Sequence, residues 1–191
     1  PPTGMADDVA IAPDGRIAWT SILNGILYEQ SPGGGPRAVA TSLPGINSVG
    51  YSRDGRLFAS QLEGADRLYE IYGDGRAPRL MLEHNGGLNG FQIDDHGVML
   101  APQGTLKRVI RLDLDSLKLD VVATGFVWPT GAKFDSREDV YAVDLTAGTL
   151  SHIDPNGQVR RLAQLPPGID NLAIDRQDRI LVSSPGDNTI F

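Results

Sequence analysis

The chain has 191 residues, enough to bury one sizeable core, and a formal net charge of −7. An acidic balance argues against nucleic acid or an anionic membrane as partner, because both reward basic patches. The absence of cysteine removes disulfides and thiolate metal ligands, and no apolar run is long enough for a membrane span, which leaves a soluble protein of undetermined compartment, cytoplasmic or secreted.

From the N-terminal end, Asp8 to Ala12 reads as a short strand, Pro13-Asp14-Gly15 as a turn, and Arg16 to Ser21 as a second strand. Gly25 to Gln30 follows as a third strand. The Gly33-Gly34-Gly35 turn leads into a fourth, Arg37 to Thr41. Aspartate followed by glycine is a hairpin signal because both tolerate positive φ. That turn returns as Asp54-Gly55 and His96-Gly97, then as Arg137-Glu138 and Gln177-Asp178. A second turn returns as Gly33-Gly34, Asp74-Gly75, Asp115-Ser116 and Asn156-Gly157. Second strands read Ile17-Ala18-Trp19, Leu57-Phe58-Ala59, Met99-Leu100-Ala101, Val140-Tyr141-Ala142 and Ile180-Leu181-Val182, short and apolar as buried strands are. No segment carries a useful helical period.

Each unit opens on a polar residue before its first strand: Asp7, Asn47, Asn89, Thr130 and Asp170, separated by 40, 42, 41 and 40 positions. Five four-stranded units of this length, repeated in step, indicate a β-propeller. The expected fold is all-β, a single domain over residues 1–191. Its blades lie near 5–44, 45–86, 87–127, 128–167 and 168–191, the last incomplete. Because a propeller ring leaves no raw sheet edge, the expectation is a six-bladed ring of which this chain carries about four and a half blades. The remaining blade or blades would come from further sequence or a partner chain.

Propeller geometry places the leading residues around one mouth of a central channel. The loops joining second to third strands lie at the same end and carry Asn24, Glu63, Asp66, Gln103, Asp144, Thr146, Asp187 and Asn188. Carboxylates and amides without thiol or imidazole suit a hard cation such as calcium, which takes six to eight oxygen ligands. The same residue types also cap a turn by bonding their own backbone, with no metal involved. Asp170-Asn171 offers two polar residues where a cap needs one.

Ile169-Asp170-Asn171-Leu172-Ala173-Ile174-Asp175, followed by Ile180-Leu181-Val182, resembles the Asp-Asn blade of paraoxonase-like propellers. Asn89-Gly90 and Trp128-Pro129-Thr130-Gly131, leading to Tyr141-Ala142-Val143-Asp144, are similar to the senescence marker protein (regucalcin)/gluconolactonase family. The resemblance implies a six-bladed, calcium- or zinc-dependent hydrolase of a small-molecule lactone or ester. Carried over by position, Asp7, Thr130 and Asp170 would occupy metal-ligand places and Asn89 would contact substrate or metal. The residue types and their place at the channel mouth add Asn171 to the metal site, make Asp170 the natural general base, and put Asn47, Asp144 and His84 with Asn89 in reach of substrate. Thr130 stands where that family has asparagine, Asp7 where it has glutamate, and Gly87 where gluconolactonases place an arginine. A non-catalytic propeller binding a small molecule or a protein, and a metal-independent enzyme resembling strictosidine synthase, are the alternatives.

Overall fold

A computed structural model describes residues 4–62 and 65–191; Glu63, one of the loop residues singled out above, lies outside them. All regular structure among the described residues is β-strand. The first sheet runs β1 (Ala6–Ile11), β2 (Ile17–Ser21), β3 (Ile26–Gln30) and β4 (Arg37–Ala40). The second contains β5 (Ile46–Tyr51), β6 (Leu57–Gln61), β7 (Arg67–Ile71) and β8 (Arg79–Glu83). The third contains β9 (Gln92–Ile93), β10 (Val98–Gln103), β11 (Arg108–Asp113) and β12 (Leu119–Thr124). The fourth contains β13 (Pro129–Phe134), β14 (Val140–Asp144), β15 (Thr149–Ile153) and β16 (Val159–Gln164), and the fifth β17 (Leu172–Ile174), β18 (Ile180–Ser184) and β19 (Thr189–Ile190). Each sheet is an up-and-down meander in sequence order, one sheet per sequence repeat. The sheets are numbered below as blades 1 to 5.

The expectation of a six-bladed propeller with about four and a half blades in the chain is overturned: the fold is all-β and five-bladed, the fifth blade being three-stranded. A repeat period counts the sheets a sequence can form. Ring size depends on the angle between neighbouring blades, which no residue spacing encodes, and the sixth blade came from the closure argument alone.

The hairpin turns keep one conformation even where their glycine is lost. Gly15, Gly55 and Gly97 have φ of 84, 84 and 79°, and Glu138 and Asp178, at the same place in blades 4 and 5, have φ of 66 and 57°. The turn's own backbone bonds, Glu138 N to Asp135 O at 3.2 Å and Asp178 N to Asp175 O at 3.0 Å, hold both residues in a conformation that costs a non-glycine residue about 1–2 kcal/mol.

Contacts divide the chain into two compact units, residues 1–88 with 93–97 and residues 89–92 with 98–191. In the first, Ala12, Ala18 and Leu27 of blade 1 pack with Val49, Tyr51, Leu57 and Ala59 of blade 2 in one buried cluster. In the second, Leu100 and Val109 of blade 3 pack with Ala132, Val140 and Ala142 of blade 4. Leu150 of blade 4 packs with Leu172 and Val182 of blade 5. Period-two alternation puts these residues on the inner faces of stacked sheets.

Candidate functional site

The leading residues sit where the first strand of a blade is bulged against the second. Pairing shifts register between Ala6 and Val9, between Ile46 and Val49, and between Pro129 and Gly131, so Asp7, Asn47 and Thr130 all fall in the irregular step. A bulge re-aims side chains and is over-represented beside functional sites. The following N–H is met by a hydroxyl on the second strand. Asp8 N donates to Thr20 Oγ1 at 3.1 Å, Ser48 N to Ser60 Oγ at 3.2 Å, and Asn171 N to Ser183 Oγ at 3.0 Å.

In the second unit the structure brings three leading segments together around Asn171. A Cβ on Gly90 would stand 2.7 Å from Asn171 Oδ1 and 2.5 Å from the Thr130 carbonyl oxygen; one on Gly131 would stand 2.8 Å from the same Oδ1. Glycine at both positions is therefore what admits the amide. Ala132 N donates to Gly90 O at 2.9 Å, tying blade 4 to blade 3 at this level. Asn171 Oδ1 accepts from Leu172 N at 2.9 Å, and Asn89 Oδ1 from Gly90 N at 2.8 Å. Asp170 is half-buried, its N–H donating to Ser183 O at 2.8 Å. Thr130 is 1% exposed, and its Oγ1 has no hydrogen-bond partner among the described residues. Leaving a buried hydroxyl unsatisfied costs about 1–3 kcal/mol, so this atom is the polar vacancy of the cluster.

Asp144 is engaged with the backbone. Its carboxylate accepts from Val127 N at 2.6 Å, Trp128 N at 3.1 Å and Ala147 N at 2.9 Å, which pins the loop that delivers Pro129 and Thr130. The same work in the first unit falls to Gln61, whose Nε2 donates to Pro44 O at 2.6 Å.

In the first unit, Asp7 is half-buried beside Asp8, whose carboxylate spans two blades: Oδ1 accepts from Val9 N at 2.9 Å and Oδ2 from Val49 N at 3.2 Å. Asn47 is buried, its Oδ1 accepting from Ser48 Oγ at 2.9 Å and its carbonyl from Thr20 Oγ1 at 2.6 Å. His84 is exposed, with φ of 55°. Next to it the Asp66 carboxylate accepts from Gly86 N at 2.9 Å and Gly87 N at 2.8 Å, so the loop carrying Gly87 is held through its backbone.

Sequence reasoning missed Asp8, the hydroxyls of Thr20, Ser60 and Ser183, and the role of Gly90 and Gly131. The hydroxyls had a readable signal: Thr20 and Ser60 are 40 apart, and Ser183 lies three repeats beyond Ser60. Among the described residues, no group of three or more His, Asp or Glu side chains is placed to hold a metal ion. A cavity of about 570 Å3 lies elsewhere in the second unit, between blades 3 and 4 and lined by Arg111, Asp120, Glu138, Asp139 and Asp154. The polar cluster around Asn171 does not line it.

No protein-family model and no curated protein matches the chain. Solved structures do match in fold. The chain superposes on virginiamycin B lyase from Staphylococcus aureus with a TM-score of 0.76 at 11% identity, covering 99% of this chain and 69% of that one. A gluconolactonase from Xanthomonas campestris gives 0.78 at 14% identity, with 95% and 69% covered. A chain of the nidogen/laminin complex gives 0.79 at 16% identity, with 100% and 80% covered. These likenesses support the β-propeller fold of the lyase and gluconolactonase.

Proposed function

We propose that the chain hydrolyses a small-molecule lactone or ester at the leading segments of blades 3 to 5. The observation that carries this reading is the convergence of three polar segments on the Asn171 amide, with the buried Thr130 hydroxyl left without a partner. The fold likeness to a gluconolactonase supports it.

In this reading the half-buried Asp170 is the general base that takes a proton from the attacking water. Asn89 and Asn171 each commit Oδ1 to the next backbone N–H. An amide oxygen carries two lone pairs, so Oδ1 is the atom each would offer to a bound cation. Thr130 Oγ1 supplies a further donor or acceptor at the same level.

A divalent cation belongs to the proposal. Asp170, Thr130, Asn89 and Asn171 would hold it, and an all-oxygen donor set suits calcium better than zinc. The unpartnered Thr130 Oγ1 is the atom such an ion would satisfy. With one carboxylate in the set, affinity should be at the weak end for calcium sites, about 10⁻⁴–10⁻³ M. Bound, the ion would polarise the substrate carbonyl. Asp7, Asn47 and His84 belong to the other compact unit, and their proposed parts rest on their own variants.

The test is hydrolysis of a δ-lactone and an aryl acetate, with and without added calcium. Asp170→Asn should lower kcat/KM about 100-fold or more, the usual contribution of a general base, with the fold unchanged by circular dichroism. An unchanged rate in that variant overturns the assignment. A second reading, a non-catalytic protein-binding propeller, is favoured by the fold likeness to a chain of the nidogen/laminin complex. Absence of turnover on every lactone and ester, with the fold intact, would select it.

A further inference from the structure

Among the first strands β1, β5, β9, β13 and β17, Lys133 is the one cationic residue. Its neighbours Ala132 and Phe134 pack with residues of blade 3, so alternation sends the Lys133 side chain to the opposite face of β13. Yet its Nζ donates to the Phe91 carbonyl oxygen of blade 3 at 2.6 Å. β14 occupies one edge of β13, so the side chain reaches blade 3 round the other, unpaired edge. The half-buried Lys133 thus sets its ammonium against the inner edge of the blade. It meets the chain one residue after Gly90, the glycine that admits the Asn171 amide.

Gln92 makes the reciprocal crossing. Its Oε1 accepts from Phe134 N at 2.8 Å, and its NH2 group has no hydrogen-bond partner among the described residues. A neutral amide therefore suffices to tie these two strands. Half-burying an ammonium costs free energy that a tie alone does not require. What the lysine adds is a fixed positive charge beneath the cluster around Asn171. An ammonium and an amide NH2 are donors only, and such a pair suits a carboxylate.

We propose that Lys133, assisted by Gln92, selects a substrate with a free carboxylate, a lactone or ester whose acyl part ends in a second acid group. The inference rests on the hydrolytic reading of blades 3 to 5 given above. The scissile carbonyl lies at Asp170 and Asn171, and the free carboxylate lies one or two residues deeper, against the ammonium. In a chain of net charge −7, a local cation is what lets such an anion approach.

Two aryl esters test this, the neutral para-nitrophenyl butyrate and the anionic mono-para-nitrophenyl glutarate, each corrected for its uncatalysed rate. Wild type should favour the glutarate ester in kcat/KM by about tenfold or more, the worth of one charge-assisted hydrogen bond. Added salt should shrink that preference. Lys133→Met should lose it through a raised KM for the charged ester, whereas Lys133→Arg should keep it. A lysine that only ties strands would move both esters alike. Equal wild-type rates on the two esters, or a Lys133→Met change common to both, overturns the proposal. The wild-type comparison stands even where Lys133→Met fails to fold. Calorimetric binding of glutarate supplies an arm that needs no turnover. In a protein that hydrolyses neither ester, glutarate binding that disappears in a folded Lys133→Met upholds the Lys133 site and overturns only the hydrolytic reading. Absence of glutarate binding in that protein overturns both.

Discussion

The cleft between blades 1 and 2 and the cleft between blades 3 and 4 occupy the same place in the repeat and are furnished in opposite ways. In the first, Glu29 is 1% exposed and takes Arg16 at 2.8 Å, Arg37 at 2.6 Å and the Tyr51 hydroxyl at 2.8 Å. Arg16 and Arg37 also reach across to the Gly55 and Gly73 carbonyls of blade 2. In the second, Arg111 stands in place of Glu29 and Phe134 in place of Tyr51. Arg111 lies over the Phe134 ring at 5.4 Å, has no ion pair among the described residues, and borders the cavity of about 570 Å3. The repeated backbone provides a socket between blades, and the residues at three or four positions decide whether it holds a strut or stays open.

The largest effect should come from removing the strut. Glu29→Ala leaves two guanidinium groups and a phenol facing an emptied site. Breaking a buried pair this way costs about 3–5 kcal/mol, which we discount to about 2 kcal/mol because both arginines reach solvent. Urea unfolding measures it, and a loss below a few tenths of a kcal/mol would show that the strut is decorative. The charge can be checked separately by pH. Burial pushes the Glu29 carboxyl up, but hydrogen bonds from Tyr51 and Arg37 and the Arg16 charge outweigh it and hold it below its ordinary 4.5. A depressed carboxylate stabilises the fold above its unfolded value, and that contribution disappears as pH falls through the folded one. The stability gap between wild type and Glu29→Gln should therefore close below about pH 4.5 and hold steady above it.

The next effect probes how closely blade 4 approaches blade 3. Gly75 and Gly157 are the same turn residue in blades 2 and 4, with φ of 91 and 79°. A Cβ at Gly75 meets nothing within 4 Å, whereas one at Gly157 would lie 2.6 Å from the Val122 carbonyl oxygen. Both alanine variants carry the positive-φ strain of about 1 kcal/mol. Only Gly157→Ala adds overpacking, so it should lose about 1 kcal/mol more. Equal losses in thermal unfolding would mean that the wall of the open cleft yields freely.

Much of this was legible in the residues, and the remainder has identifiable reasons. The all-β class and the turn positions followed from period-two strands and recurring Asp-Gly pairs. Even Glu138 and Asp178 were placed by spacing after their glycine signal had gone. Contacts between blades were not legible. The Asn171 amide rests on Gly90 and Gly131, and a missing side chain announces no partner. Those glycines entered the reading only inside the Asn89-Gly90 and Thr130-Gly131 motifs. The Arg16–Glu29–Arg37 strut and its blade 2 counterpart Arg56–Glu70–Arg79 repeat at 40, 41 and 42 positions, but charged residues at such spacing look like any solvated face. The blade count failed because it was inferred from closure rather than from residues.

The smallest effect concerns the turn at the rim of each cleft. Gly55 borders the filled cleft, and a Cβ there would touch Arg16 Nη2 at 3.4 Å. Glu138 holds the same position beside the open cleft with φ of 66°, and its carboxylate makes no hydrogen bond among the described residues. Replacing it with glycine removes about 1–2 kcal/mol of left-handed strain and adds about 0.5–1 kcal/mol of backbone entropy loss on folding. Glu138→Gly should thus stabilise by about 0.5 kcal/mol, raising the urea midpoint slightly. Asp178 supplies the control at the same position in blade 5. Its φ is 57°, but its carboxylate accepts from Ser136 N at 3.0 Å and Ser136 Oγ at 2.8 Å, linking the turns of blades 4 and 5. Asp178→Gly gains the same relief and loses both bonds, each worth about 0.5–1.5 kcal/mol, so it should destabilise. If both glycine variants shift stability in the same direction, backbone strain alone governs these turns and the contacts between blades add nothing.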